Sequence, residues 1–256
     1  MKHVNIKSFD IPDAWYKNLS EIWYNGDIFK VGYGSEETET KKLNVTIEIT
    51  NPENPPLVHE KAPCDMKYVN EYALTYLYTD FIEDETYTYG SRLRMPFDQV
   101  ETAMNRFVES LFDRQVTLLI RRPEDIKKQI KTDRKKQLET DKKHAPPCWT
   151  ISDLEIMKEN GELKLNSTGY FRSWDAYAGL PANIAGIQIF NESFVKELNM
   201  KGREYDKKWE DVSTGKMVFH SKNCHIYERQ YKLVEELLSH KTQSHSERLA
   251  NVNNKE

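Results

Sequence analysis

At 256 residues the chain can form one large domain or two small ones, and 38% hydrophobic, 30% charged and 11% aromatic residues are an ordinary globular composition. A formal net charge of −4 excludes a global basic field for nucleic acid or an anionic membrane, so an anionic ligand must be held by local arginines. The longest apolar stretch, Val116–Ile120, is far too short to cross a bilayer, and Met1-Lys2-His3-Val4-Asn5 has no signal-peptide core. With three cysteines, an odd number, the expectation is a cytoplasmic protein with no disulfide framework and no membrane association.

Asp13–Tyr24 carries apolar residues at helical spacing and stops at Asn25-Gly26, predicting a helix. Leu43–Ile49 alternates as a half-buried strand, and the proline cluster from Asn51 to Pro56 turns the chain. Met66–Phe81 and Phe97–Leu111 read as two further helices, and Arg114–Ile120 as a buried strand. Arg121–His144 is almost all charged or amide residues and reads as a solvated helix rather than a nucleic-acid arm. Trp149–Ile156 and Glu162–Arg172 are expected to pair as a hairpin through Asn160-Gly161. A helix is expected over Asn183–Leu198, ending near Gly202, then a strand over Lys216–Phe219 and a helix over Tyr231–Leu238. No repeat or composition break divides the chain, so one catalytic domain is expected over residues 1–240, with a polar, flexible tail over 241–256.

Cys148, in Ala145-Pro146-Pro147-Cys148-Trp149, is the candidate nucleophile. A free thiol is only a few per cent ionised at neutral pH, so a catalytic cysteine needs a nearby cation. The Asn160-Gly161 turn would return Arg172 to the sheet edge where Cys148 starts. Cys64 and Cys224 read as inert small hydrophobes. The pair Cys224-His225, with His220 nearby, lacks a second ligand pair at metal-site spacing, so no metal is expected.

Tyr87-Thr88-Tyr89-Gly90-Ser91-Arg92, Pro146-Pro147-Cys148, Arg172-Ser173-Trp174-Asp175, Gly179-Leu180-Pro181-Ala182-Asn183 and His225-Ile226-Tyr227 stand in the order found in thymidylate synthases. Over roughly residues 40 to 240 the chain resembles that family, most closely its archaeal branch and the related pyrimidine nucleotide hydroxymethylases. The resemblance implies a single-domain α/β fold, a mixed β-sheet with flanking helices, whose sheet forms the back-to-back interface of a homodimer. It implies transfer of a one-carbon unit from 5,10-methylenetetrahydrofolate, or a modified tetrahydropterin, to C5 of dUMP through a Cys148 adduct at C6. The runner-up is hydroxymethylation of dUMP, dCMP or CMP, with water in place of hydride. A nucleotide-binding relative without catalysis is a third reading, and the presence of Cys148 argues against it.

By the same resemblance, Tyr89 assists removal of the C5 proton, Glu71 is the general acid–base, and Asn183 reads the base edge. Arg172 and Ser173 would bind the phosphate, joined across the dimer by Arg114, whose expected arginine neighbour is Gln115 here. That departure points to weaker phosphate binding, or to a rearranged phosphate pocket using Arg92 or Arg94. His225 and Tyr227 would hold the sugar 3′-hydroxyl, and Asp175 and Gly179 would contact the pterin. Trp149 and Trp174 would either exclude water or fill the core.

Overall fold

The computed structural model describes residues 2–33, 36–83, 85, 87–130 and 146–239. Eight strands form one mixed sheet: β1 (His3–Ser8), β2 (Asp27–Tyr33), β3 (Glu36–Ile49), β4 (Thr117–Leu119), β5 (Trp149–Glu159), β6 (Glu162–Phe171), β7 (Trp174–Asp175) and β8 (Val212–Tyr227). The order β1-β3-β8-β6-β5-β4 runs across the sheet, with β2 paired to β3 and β7 to β8. Among the described residues seven α-helices accompany it: α1 (Ile11–Asn25), α2 (Met66–Tyr72), α3 (Tyr89–Arg94), α4 (Gln99–Glu109), α5 (Pro123–Ile130), α6 (Gly179–Tyr205) and α7 (Tyr231–Ser239).

Strand periodicity decides where the core lies. In β3, Leu43, Val45, Ile47 and Ile49 are buried, while the intervening Asn44, Thr46 and Glu48 are partly exposed. The buried set shares one core with Trp15, Leu19 and Ile22 of α1 and Ile184, Ile187 and Leu198 of α6. On the opposite face Thr46 bridges two imidazoles, at 3.0 Å from His3 and 2.9 Å from His220.

The predicted hairpin is present, with Glu159 opposite Glu162 and Trp149 opposite Phe171. Its two turn residues, Asn160 (φ 52°) and Gly161 (φ 89°), both adopt the left-handed region that such two-residue loops require. The first helix also matches, extended at each end. The second breaks at Tyr72 into a wider π-helical turn over Ala73–Tyr78 and stops short of Phe81.

Other expectations change. The segment called a buried strand, Arg114–Ile120, contributes only the three-residue edge strand β4, whose residues alternate between exposed and buried. Helix α6 starts at Gly179 rather than Asn183, because Pro181 falls in the first turn, where a missing N–H costs nothing. It also runs through Gly202 rather than ending there: a Cβ at Gly202 would lie 2.1 Å from the Trp209 ring, so this glycine makes room for an indole. Gly202→Ala is therefore expected to destabilise the fold by about 1–3 kcal/mol, read as a lower urea midpoint at unchanged slope. The short late strand is the middle of the 16-residue β8, and β1 and β2 had no counterpart in the sequence reading. Of the charged Arg121–His144 segment, residues 121–130 are described and include α5; residues 131–144, like the tail 241–256, lie outside the described residues.

Candidate active site

The hairpin carries Cys148 and Arg172 to one edge, where the Arg172 N–H donates to the Cys148 carbonyl at 2.9 Å. The Arg172 guanidinium then donates from Nε to the Pro147 carbonyl (3.0 Å) and from Nη2 to the Pro146 carbonyl (2.7 Å). Prolines offer carbonyls but no N–H, so the fork of one arginine fastens this lead in an extended form.

The three thiols lie in different electrostatic settings. Burial and the neighbouring Asp65 carboxylate push Cys64 up to about 11. Burial pushes Cys224 up to about 12, although an Asn18 amide N–H donates to its sulfur at 3.3 Å. Cys148 is also raised by burial, but the Arg172 and Arg121 guanidinium charges both pull it back toward the thiolate. It is the half-buried thiol with cations beside it.

Arg121 escaped the sequence reading because it looked like the first residue of a solvated charged run. The sheet explains its placement: Leu119 pairs with Ile151, and the N–H groups of Ile120 and Arg121 both donate to the Thr150 carbonyl at 3.0 Å. This sets Arg121 beside the strand that begins after Cys148, with its Nε buried and unpaired among the described residues. Arg121→Gln is expected to raise the Cys148 pKa further. Iodoacetamide labelling near neutral pH would slow several-fold, its pH profile moving upward.

Above the thiol, Thr88 caps α3 by accepting from the Ser91 N–H (2.9 Å), placing Tyr89 in the first turn. Gly90 allows this turn to press on its neighbour, since a Cβ there would stand 2.4 Å from the Thr79 carbonyl oxygen. Tyr89 is buried edge-on against Trp149 (5.5 Å) and Tyr87 (5.7 Å). Burial holds the Tyr72, Tyr87 and Tyr89 phenols protonated, each pKa lying above the ordinary tyrosine value.

Asn183, half-buried in α6, is held at both ends. The Trp174 indole donates to its Oδ1 at 2.9 Å, and its Nδ2 donates to the Tyr72 hydroxyl at 2.8 Å. Trp174 is itself fixed by parallel stacking on Phe171 (3.9 Å, 3°), so this tryptophan is core and site support together. Trp149 is core, buried with its indole N–H unpaired among the described residues.

Pairing of β7 with β8 sets Trp174 opposite Cys224 and Asp175 opposite His225. Ser173 Oγ accepts from the Asn223 side chain at 3.1 Å. His225 Nδ1 lies 3.1 Å from the Asn223 carbonyl, which only accepts, so Nδ1 carries the proton and Nε2 keeps a lone pair. Burial lowers the His225 pKa, favouring that neutral ring, and Tyr227 packs edge-on to it at 4.6 Å.

Several expected residues lie apart. Glu71 is exposed: adjacent helical residues point about 100° apart, so Tyr72 facing α6 turns Glu71 to solvent. Arg114 is exposed and unpaired among the described residues. Arg92 and Arg94, suggested for a rearranged phosphate pocket, are each engaged elsewhere: Arg92 is buried in an ion pair with Asp125 (2.7 Å), and Arg94 pairs with Asp98 (2.8 Å).

The family model for thymidylate synthase matches residues 65–255, which include all these site residues. The chain belongs to the thymidylate synthase family. It is 28% identical over 240 residues to a Methanosarcina mazei protein provisionally named thymidylate synthase, covering 91% of this chain and 94% of that one. A Methanothermobacter thermautotrophicus protein with the same provisional name is 24% identical over 247 residues, covering 91% of this chain and 98% of the other.

Thymidylate synthases take a reduced folate as cosubstrate, and this site has a place that fits its pterin. Asp175 is a carboxylate without an ion pair among the described residues, oriented by Gln230 Nε2 (3.1 Å to each oxygen) and by the N–H groups of Tyr177 and Ala178. Beside it, a Cβ on Gly179 would project between Asp175 (3.5 Å) and Asn183 (3.6 Å), so the glycine leaves this space open. A flat ring with N–H donors suits such a slot. Gly179→Val is expected to weaken methylenetetrahydrofolate binding roughly tenfold or more while nucleotide affinity stays near wild type, as calorimetry would resolve.

Proposed function

We propose that this thymidylate synthase family member transfers a one-carbon unit from methylenetetrahydrofolate, or a modified tetrahydropterin, to C5 of dUMP, giving dTMP. The observation that carries the reading is the thiol of Cys148 flanked by Arg172 and Arg121. Burial raises this thiol above its ordinary value, and the two guanidiniums offset part of that cost for the thiolate needed to attack C6 of the pyrimidine. As the thioether forms, charge moves toward the 4-oxygen and C5 becomes nucleophilic. The folate supplies a carbon at the oxidation level of formaldehyde and, for the methyl product, a hydride.

The chain's own groups have distinct tasks. Arg172 and Ser173 hold the phosphate, Arg172 using the donors not spent on Pro146 and Pro147. After its bonds to Trp174 and Tyr72, the Asn183 amide retains one N–H and one carbonyl lone pair. These match the 4-oxygen and N3–H of uracil. The free Nε2 of His225 and the Tyr227 hydroxyl face the sugar 3′-hydroxyl, and Tyr89 directs water toward the C5 proton. Asp175 and Gly179 receive the pterin. We assign Arg114 to the partner subunit's phosphate in a homodimer joined through the sheet face that carries Thr46; its exposure without a partner among the described residues supports this.

Hydroxymethylation shares every step up to the exocyclic methylene and differs in the final acceptor, water rather than hydride. Asn183 favours uracil and hence the synthase. Mass spectrometry of dUMP incubated with protein and methylenetetrahydrofolate separates them. A gain of one methyl group supports dTMP formation, a hydroxymethyl product supports the second reading, and modification of dCMP alone would overturn the uracil assignment.

A further inference from the structure

We propose that Tyr72 is a second base-reading residue, its hydroxyl donating to an oxo group at ring position 4 and so selecting uracil over cytosine. The assignment rests on the nucleotide reading of the same site given above.

The hydrogen-bond directions in this corner follow from donor chemistry. An indole N–H can only donate, so the Asn183 atom 2.9 Å from Trp174 Nε1 is the carbonyl oxygen, and the other end of the amide is its NH2. That NH2 donates to the Tyr72 hydroxyl at 2.8 Å. The hydroxyl therefore accepts from Asn183, and its own proton is directed elsewhere. Among the described residues it has no second hydrogen-bond partner.

Packing holds this donor in place. A Cβ on Gly186 of α6 would lie 2.9 Å from the Tyr72 ring, and the ring stacks on Tyr76 at 5.5 Å. The hydroxyl is near enough to Cys148 for a thiolate charge to act on it, and burial keeps it protonated. It stands where charge would develop on the 4-oxygen after thiolate attack. With the remaining N–H of Asn183, it presents two donors to one point. A 4-oxygen has two lone pairs to receive them, whereas a 4-amino group would face the Asn183 N–H as a second donor and leave the Tyr72 proton without an acceptor. Glu71, turned to solvent, leaves this position to Tyr72.

The test compares dUMP and dCMP binding, by calorimetry, in wild type, Tyr72→Phe and Gly186→Ala. Wild type is expected to prefer dUMP by about 100-fold or more, since a site built to pair an oxo group leaves donors unpaired against an amine. Tyr72→Phe keeps the ring and removes the proton, so the preference is expected to shrink roughly tenfold, mainly through weaker dUMP binding. Gly186→Ala displaces the ring with its hydroxyl intact and is expected to shrink the preference likewise. Thermal melts check that both variants fold. If wild type prefers dUMP and Tyr72→Phe keeps the full preference, the assignment fails while the nucleotide reading stands. A wild type preferring dCMP overturns the assignment as well. A wild type that binds neither nucleotide overturns the proposed function and this assignment together.

Discussion

Cys148→Ser is expected to abolish turnover, by roughly 10⁴-fold or more, while dUMP affinity changes less than about tenfold. Serine preserves the size and hydrogen-bonding capacity of the side chain but not its acidity. Two guanidiniums can tilt a thiol toward its anion against the cost of burial; a hydroxyl in the same place stays protonated and attacks C6 poorly. The grips proposed for the nucleotide (Arg172, Ser173, Asn183 and His225) do not pass through the sulfur, so binding should survive. Rapid-quench assays with calorimetry on the same preparation check both halves. Turnover within tenfold of wild type would refute a covalent role for Cys148. In the wild type, burial raises the thiol's pKa, so alkylation of the ligand-free protein should still be climbing at pH values where an exposed cysteine has levelled off.

The parts of the site that were legible in sequence are those where one residue type at one spacing has a local physical meaning. Asn160-Gly161 predicts a tight turn, and that turn alone places Arg172 against Cys148. Thr88 and Gly90, read in the sequence only as part of the family motif, form the helix start that positions Tyr89. What stayed hidden depends on tertiary register. Arg121 opens a charged segment, and only the pairing of β4 with β5 shows that it ends beside the thiol. Choosing between Glu71 and Tyr72 is a matter of which face α2 turns to α6, and a seven-residue helix carries too few apolar residues to declare it. The extent of β8 was missed because polar residues are interspersed along it, leaving Lys216–Phe219 as its visible apolar part. Gly202 looked like a stop signal and is an indole seat. The partners of Arg92 and Arg94 were hidden for a related reason: the carboxylates paired with them lie thirty-three and four residues away in sequence.

Arg172→Lys is expected to cost roughly 10²-fold or more in kcat/KM, with the fold intact, because the guanidinium performs two geometric tasks that an ammonium cannot combine. Its Nε and Nη2 hold two successive carbonyls at 3.0 and 2.7 Å, fixing the Pro146-Pro147 lead to Cys148. In the proposed complex its remaining donors meet the phosphate. Hydrogen bonds from a charged donor contribute about 1.5–3 kcal/mol each, so losing one to two of them amounts to about 10- to 10⁴-fold. Lysine keeps the charge beside Cys148, and the pH dependence of alkylation should therefore move little. That separates this variant from Arg121→Gln, where the alkylation profile shifts because the charge itself is gone. If Arg172→Lys left kcat/KM within about threefold of wild type, the guanidinium would be acting as charge alone. If instead it moved the alkylation profile as far as Arg121→Gln, proximity of charge to the sulfur would depend on the fork that fastens the loop.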